Sequence, residues 1–316
     1  MKTNRDIYKW LAGRAACMLA VLVLAYAALP LESSTSDNSP TGHTVPNFDH
    51  VIIVTFENKE FKKVIGNPYM PTFNSYARKY TLLTEFYAEA HPSLPNYLAM
   101  IGGDTFNIQT DCKDCFIDAP SLPDLIEASG LTWKTYQEDM QSPCGLGSES
   151  QSAYVQKHNP FVYFDAIRLD SERCRKSVVP LADLQPDIDA GRLPNFIFIT
   201  PNMCNNAHDC KLIVTDAWIR SLLKRLIPAL EKKSSNYLIV LNWDEGQDNG
   251  SCCGLPEIAG GRIAVVLISP FVKNHFQDST PYTHYSLLKT ISDAWHLPYL
   301  GHAREEDTAL ILAPWK

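Results

Sequence analysis

The chain of 316 residues lacks an excess of positive charge, because 35 aspartate and glutamate residues outnumber its 28 lysine and arginine residues. The formal net charge is −7. Proteins that bind nucleic acid or anionic membrane surfaces usually present basic patches, so this balance argues against both kinds of partner. It does not exclude a small anionic substrate held by a local metal ion.

The amino-terminal region also lacks an apolar run long enough to span a membrane. The apolar stretch 15–29 falls short of the ~20 residues that a spanning helix needs. Four basic residues precede it, and Ala25-Tyr26-Ala27 fits the small-x-small cleavage pattern. The sequence therefore predicts a signal peptide over residues 1–27 and a protein that is secreted, periplasmic or at the cell surface. An uncleaved membrane anchor is the alternative.

No internal repeat and no further change in composition divides the rest of the chain. Residues 28–46 are rich in Ser, Thr and Pro and predict a flexible linker. Residues 47–316 have the length of one α/β domain, which we take as the catalytic domain. Loss of residues 1–27 would leave 24 basic and 34 acidic side chains, a formal charge of −10. We therefore expect no stable membrane partner after cleavage.

Eight cysteines remain once Cys17 is set aside, an even number that predicts disulfide bonds in an exported protein. Closeness in sequence favours the pairs Cys144–Cys174 and Cys204–Cys210. A zinc-binding set is the alternative for the other four, which are Cys112, Cys115, Cys252 and Cys253. A bridge between the adjacent Cys252 and Cys253 would be strained, so we expect each of them to pair elsewhere.

Short apolar runs rich in β-branched residues predict strands that are buried on both faces of a parallel sheet. These runs are 51–56, 82–87, 132–137, 195–200, 237–241 and 263–268. Helical spacing returns between them, most clearly over 213–232 and 286–295, whereas 138–192 is predicted to be irregular. The alternation predicts an α/β fold with a mostly parallel central sheet and helices on both faces.

Two of the predicted strands end in acidic residues. Glu57 and Asn58 follow the first run, and Asp244 and Glu245 follow the fifth. Ligands bind beyond the carboxyl ends of parallel strands, so these residues suggest a metal site; ordinary polar loop starts are the alternative. Oxygen ligands favour calcium, magnesium or manganese, and zinc or iron would compete if histidines joined them.

Three further places carry reactive side chains. Ser93, in the turn that begins with His91, is predicted at a helix amino terminus, which stabilises a nucleophilic anion or a bound phosphate. A plain N-cap is the alternative. His208-Asp209 follows another strand, and His284 precedes the last helix. These are candidate metal ligands or acid–base groups. A structural His-Asp pair and a surface histidine are the alternatives.

Taken together, these segments resemble the phosphoesterase family of bacterial phospholipases C and secreted acid phosphatases, in the alkaline-phosphatase-like superfamily. The matching blocks are Thr55–Asn58, His91–Tyr97, Thr200–Asn202 with His208-Asp209, Trp243–Gly246 and His284–Leu288. They occur in the family's order and span nearly all of the exported chain. The resemblance implies an alkaline-phosphatase-like fold and phosphoester hydrolysis at a metal-centred serine.

The resemblance also implies roles for individual residues. The metal ligands would be Glu57, Asn58, Asp244, Glu245 and the nucleophile Ser93. The residues that hold the phosphate or move protons would be His91, His208, Asp209 and His284. We therefore expect a metal-dependent phosphomonoesterase of the acid phosphatase type, acting on a small phosphorylated substrate or a phospholipid headgroup. The alternatives are a phospholipase C, a phosphatase of phosphorylated inositol lipids, and a binding protein that has lost turnover.

Overall fold

The apolar runs predicted from the sequence form the centre of a single sheet. The computed structural model describes residues 44–146, 153–233 and 236–316. Within them the strand order is β4-β3-β5-β1-β6-β7-β2-β8, and β9 pairs with β2. The strands are β1 His50–Phe56, β2 Thr81–Tyr87, β3 Trp133–Gln137, β4 Val178–Pro180, β5 Phe196–Thr200, β6 Tyr237–Trp243, β7 Arg262–Ile268, β8 Phe276–Asp278 and β9 Tyr282–Thr283.

The middle of the sheet is parallel. Strand β1 lies between β5 and β6 and runs parallel to both, and β3 continues the parallel order from β5 to β4. Strand β7 runs antiparallel to its neighbours β2 and β6. Every residue of β1 is buried, which explains why its sequence is continuously apolar rather than alternating. The prediction of a mostly parallel sheet is confirmed.

Helices cover both faces of the sheet, with α2 packed on α8 and α3 packed on α9. The helices are α1 Phe61–Val64, α2 Pro71–Lys79, α3 Ser93–Gly102, α4 Leu122–Ala128, α5 Asp165–Arg168, α6 Ser171–Ser177, α7 Leu184–Asp189, α8 Leu212–Lys233 and α9 His284–Ala294. Short 3-10 turns span Gln156–His158, Pro160–Tyr163, Leu181–Asp183 and Gly301–Arg304. The long helix α8 buries leucine and isoleucine side chains at helical spacing, as its sequence predicts.

The prediction that 138–192 is irregular is wrong, because this stretch contains α5, α6, α7 and β4. Each of these elements is too short to show a hydrophobic period. Helix α6 begins with a side-chain cap, in which Asp170 accepts from the backbone N–H groups of Glu172 and Arg173.

Disulfide bonds join Cys144 to Cys174 and Cys204 to Cys210, as their spacing predicts. The other two bonds are Cys112–Cys115 and Cys252–Cys253. The expectation that Cys252 and Cys253 each pair elsewhere is therefore wrong, since the other six described cysteines pair among themselves. With all eight in disulfides, this structure does not support the zinc-binding alternative for them.

The predicted signal peptide 1–27 and most of the predicted linker 28–46 lie outside the described residues. Over the ranges that the structure covers, no helix is both long and apolar enough to cross a membrane.

Candidate active site

The two acidic strand ends meet at one edge of the sheet. The register of β1 and β6 pairs Phe56 with Trp243, so Glu57 and Asp244 leave the sheet side by side. The Asp244 N–H donates to the Phe56 carbonyl at 2.8 Å, and the Asn58 N–H donates to Asp244 Oδ1 at 3.0 Å. Residues nearly 190 positions apart in the sequence are thus tied into one site.

The Ser93 hydroxyl lies next to the carboxylates of Glu57 and Glu245. Ser93 is the first residue of α3, is 1% exposed, and follows the N-cap residue Pro92. Its Oγ is 3.1 Å from Glu57 Oε2 and 3.2 Å from Glu245 Oε1, so the hydroxyl can donate to either oxygen in turn. The alternative that Ser93 is only an N-cap is wrong, because its hydroxyl faces the acidic cluster.

Two side chains that the sequence analysis did not assign to the site hold Glu57 in place. The Tyr97 hydroxyl donates to Glu57 Oε1, and His158 Nε2 lies 3.1 Å from the same oxygen. The rings of Tyr97 and His158 stack with their centroids 5.2 Å apart. Burial alone would raise the pKa of Glu57, but the charge and hydrogen bond of His158 and the hydrogen bond of Tyr97 bring it below its ordinary value.

The sequence contains a signal that could have identified Tyr97, but none for His158. Tyr97 follows Ser93 by four positions, the spacing that places both side chains on the same face of a helix. His158 ends a 3-10 turn in the stretch predicted to be irregular, where no period marks it.

The carboxylates of this cluster repel one another because they are buried together. Burial, with the negative charges of Glu57 and Glu245, raises the pKa of Asp244 well above its ordinary value. Burial also raises the pKa of Glu245, although His91 opposes the shift. His91 Nδ1 forms a hydrogen bond with Glu245 Oε2, and this bond raises the pKa of His91. A bound cation would neutralise the charge of these carboxylates and so favour their ionised forms.

The donor set fits a hard cation in its chemistry. Asn58 Oδ1 and Asp244 Oδ2 are buried acceptors without a hydrogen-bond partner in the described structure. With Glu57, Glu245 and Ser93 they offer only oxygen, the donor type that calcium, magnesium and manganese prefer. In the described ranges, however, no three His, Cys, Asp or Glu side chains already have metal-binding spacing. Ser93, Tyr97 and His91 form hydrogen bonds with these carboxylates instead.

His284 lies beneath the second acidic strand end. It opens α9 and is fully buried, so the surface alternative is wrong. Its Nε2 donates to the Asp244 carbonyl at 2.9 Å, and burial lowers its pKa to about 4. A neutral imidazole that supports the main chain of Asp244 is a positioning group at this site.

His208 and Asp209 do not join the cluster through any hydrogen bond or ion pair recorded in the described structure. They pair with each other at 2.7 Å on a loop closed by the Cys204–Cys210 bond, and both are partly exposed. This loop reaches the site through the carbonyl of Asn206, which accepts from the Glu57 N–H at 2.9 Å.

Two lysines flank the acidic cluster and were not predicted. Lys59 Nζ donates to the Asn58 carbonyl at 3.1 Å. Burial lowers the pKa of Lys59, and the negative charges of Glu60, Asp244 and Glu57 oppose that shift. Lys157 Nζ donates to Asp111 Oδ2 at 2.7 Å, while Asp111 Oδ1 accepts from the Leu94 N–H at the start of α3. These ammonium groups offset part of the negative charge around Ser93.

The fold and the sequence were compared with known proteins. A solved protein of the alkaline phosphatase superfamily from Vibrio parahaemolyticus superposes with a TM-score of 0.55 at 10% identity, covering 86% of this chain and 76% of that one. This likeness shows the fold, which is alkaline-phosphatase-like as predicted.

Curated relatives share more of the sequence. A phosphate-repressible acid phosphatase of Penicillium chrysogenum is 32% identical over 80% of this chain, which spans 60% of that protein's length. A phosphatidylinositol-3-phosphatase of Mycobacterium tuberculosis is 31% identical over 82% of this chain and 81% of its own length. The sequence model of the phosphoesterase family matches residues 67–298, and the chain therefore belongs to the phosphoesterase family.

Proposed function

We propose that this chain is a phosphomonoesterase of the acid phosphatase type, with Ser93 as its nucleophile. The observation that carries the proposal is the buried Ser93 hydroxyl within 3.2 Å of two carboxylates at the carboxyl edge of the sheet. Its membership of the phosphoesterase family and the acid phosphatase names of its relatives support the same activity.

In the proposed reaction, Ser93 Oγ attacks phosphorus and transfers its proton to Glu57 or Glu245, which already accept its hydrogen bond. The Oγ–P bond forms as the bond from phosphorus to the leaving oxygen breaks. His91, whose Nε2 has no partner in the described structure, is placed to protonate the leaving alcohol. Water then cleaves the phosphoserine, which releases phosphate and restores the hydroxyl.

A divalent cation is part of the proposal. Glu57, Asn58, Asp244, Glu245 and Ser93 would hold it. When bound, it would stabilise charge on the phosphate oxygens and favour the ionised serine. The flanking Lys59 and Lys157 would add positive charge at the rim of the same site.

His208 and Asp209 keep a lesser role in the proposal. Their exposed pair could meet a substrate at the edge of the site but has no contact with Ser93 that would let it share the chemical step. Export also remains a proposal. The pairing of all eight described cysteines in disulfides supports an oxidising compartment.

Replacing Ser93 tests the proposal. Ser93→Ala should lower kcat on an aryl phosphate at least about a thousandfold, because no other group replaces the attacking oxygen. Acid quenching of the wild-type reaction should trap phosphate on the peptide that contains Ser93, detected by mass spectrometry. The matched control is Ser292→Ala, which removes a buried hydroxyl without a recorded partner in α9 and should keep full activity. Robust turnover by Ser93→Ala would mean that a water molecule, and not Ser93, attacks phosphorus.

A second candidate is a lipid phosphoesterase, either a phospholipase C or a phosphatase of inositol lipids. The mycobacterial relative favours it, because that protein is a phosphatidylinositol-3-phosphatase and this chain covers most of its length. Cleavage of phosphatidylcholine vesicles tests for a phospholipase C. Release of phosphate from vesicles that contain phosphatidylinositol 3-phosphate tests for the lipid phosphatase, and each rate is compared with the rate on soluble monoesters.

A further inference from the structure

We infer that a cavity beside Ser93 receives the leaving alcohol of the substrate and selects alcohols without an anionic group. The inference rests on the proposed phosphomonoesterase function and names the substrate class of the same site: phosphate monoesters of neutral or cationic, hydroxylated alcohols.

The cavity lies next to His91, the proposed proton donor to the leaving alcohol. It has a volume of about 630 Å³ and is lined in part by Glu89, Ala90 and His91, which lie just before Ser93 in the chain. His91 also contacts Glu245, and Glu245 contacts the Ser93 hydroxyl. In the proposed attack, the bond from phosphorus to the leaving oxygen breaks as the Oγ–P bond forms. His91, the imidazole that is placed to protonate that oxygen, lines this opening, so the leaving alcohol would occupy the cavity.

Acidic side chains dominate the charge of the cavity. Glu305 and Asp307 line it, and none of the described lining residues is lysine or arginine. Glu89 lines it too, but burial raises the pKa of Glu89 to about 8, so at lower pH this side chain adds no charge. The two lining histidines already face carboxylates. His91 pairs with Glu245, and His302 Nδ1 lies 2.6 Å from Glu305. A second phosphate or a carboxylate on the leaving group would meet negative charge without a cation to balance it.

Glu89 gives the cavity a polar anchor at its base. The residue is only 4% exposed, and its Oε2 has no hydrogen-bond partner in the described structure. The nearest recorded nitrogen, His284 Nε2, is 3.8 Å away, which is beyond hydrogen-bond range. A buried polar atom without a partner is costly. Burial raises the pKa of Glu89 to about 8, so below that pH its carboxyl is neutral and a hydroxyl group of a ligand would satisfy the free oxygen.

One wall of the cavity is apolar. Leu255, Pro256 and Ile258 line it from the loop between β6 and β7, and Ile258 is 72% exposed. The carbon skeleton of an alcohol can pack there while its polar groups face Glu89 and the acidic side. This combination disfavours phosphorylated inositol headgroups, because their additional phosphates would face the carboxylates of Glu305 and Asp307.

Three alkyl monoesters that differ in leaving-group charge test the inference: phosphocholine, glycerol 2-phosphate and 3-phosphoglycerate. At low ionic strength, kcat/KM for the cationic and neutral esters should exceed that for the anionic ester about tenfold or more. The double variant Glu305→Gln/Asp307→Asn should narrow this ratio about threefold, mainly by improving 3-phosphoglycerate.

Glu306→Gln is the matched control. It removes one negative charge, half of what the double variant removes, from an exposed residue that lies between the other two in sequence but does not line the cavity. It should leave the ratio unchanged. Equal or reversed kcat/KM values in the wild type would overturn the inference, as would a double variant that behaves like Glu306→Gln.

Binding to the Ser93→Ala protein separates this inference from the proposed function. Calorimetric Kd values for the three esters should follow the same order without any turnover. If the wild type hydrolyses none of the esters but binding keeps the order, the proposed activity fails and the cavity's selectivity stands. If an aryl phosphate is hydrolysed but the three esters bind equally, the selectivity is wrong and the activity stands.

Discussion

At the scale of single residues, Glu57 depends on Tyr97 for its orientation toward Ser93. Tyr97→Phe keeps the ring stack on His158 and removes only the hydroxyl that donates to Glu57 Oε1. We expect kcat to fall about tenfold or more with a smaller change in KM, since partners of a site carboxylate position it rather than bind substrate. Steady-state kinetics on an aryl phosphate measures both constants.

Tyr163→Phe is the matched control for Tyr97→Phe. Tyr163 is also fully buried, and its hydroxyl donates to the Cys112 carbonyl at 2.9 Å, away from the acidic cluster. Both variants lose one hydrogen bond. Tyr163→Phe should lose about 1 kcal/mol of stability, and Tyr97→Phe roughly 2 kcal/mol, because its acceptor is a carboxylate. Only Tyr97→Phe should lose activity; an equal loss in both variants would mean that a general loosening of the fold is responsible.

The sequence identified the residues that end long strands and missed those that depend on short turns. Glu57 and Asp244 could be paired because buried parallel strands place their carboxyl ends at one edge. His158 and Lys157 lie in a three-residue 3-10 turn, and no local pattern connects that turn with strand β1. The sequence analysis raised a surface alternative for His284, because a helix start alone does not show what packs over it.

At the scale of elements, the loop between β6 and β7 presses closely on the turn that carries His91. The Gly260 N–H donates to the Ala88 carbonyl at 3.1 Å, and a Cβ on Gly260 would lie 2.4 Å from the Ala90 carbonyl oxygen. Gly260→Ala must therefore push the loop and the turn apart. We expect a loss of about 2 kcal/mol or more in unfolding free energy and a clear fall in kcat/KM.

Gly250→Ala in the same loop provides the comparison for Gly260→Ala. A Cβ there would meet its nearest atom, Gly261 Cα, at 3.4 Å, an ordinary contact distance. Urea denaturation and kinetics of the two variants should show a small effect at Gly250 and a large one at Gly260. Comparable effects at both positions would show that the separation of loop and turn does not limit the site.

At the scale of the whole molecule, the site combines five segments that are distant in sequence: the ends of β1 and β6, the starts of α3 and α9, and the turn Gln156–His158. Their order in the sequence could not give the distances between them. The alternation of strands and helices predicted the fold because its longest elements carry clear patterns: β1 is a continuous apolar run, and α8 has apolar residues at helical spacing. The cavity beside His91 could not be predicted. It lies between the 253–259 loop and the 302–308 segment, which only tertiary packing brings to the same place.

The stability of the whole domain should report on the proposed cation. After treatment with a chelator, adding calcium, magnesium or manganese should raise Tm, because a ligand at 100 times its Kd stabilises the folded state by about 2.7 kcal/mol. Asp244→Asn should behave in the opposite way. Without metal, and at a pH high enough to ionise Asp244, it should be more stable than the wild type, because it removes a charge that burial and the neighbouring carboxylates disfavour. Adding the cation should raise the Tm of Asp244→Asn only slightly.

Asp278→Asn distinguishes loss of a ligand from loss of any buried acid. Asp278 is buried, and its carboxylate accepts from the Thr280 N–H and the Tyr282 hydroxyl rather than facing Ser93. This variant should melt at a lower temperature and still respond to the cation as the wild type does. Elemental analysis of the purified protein covers the case of an ion that resists chelation. A metal-free wild type whose Tm responds to none of these cations would refute the cation site, because the surrounding histidines and lysines would then be enough to balance the three buried carboxylates.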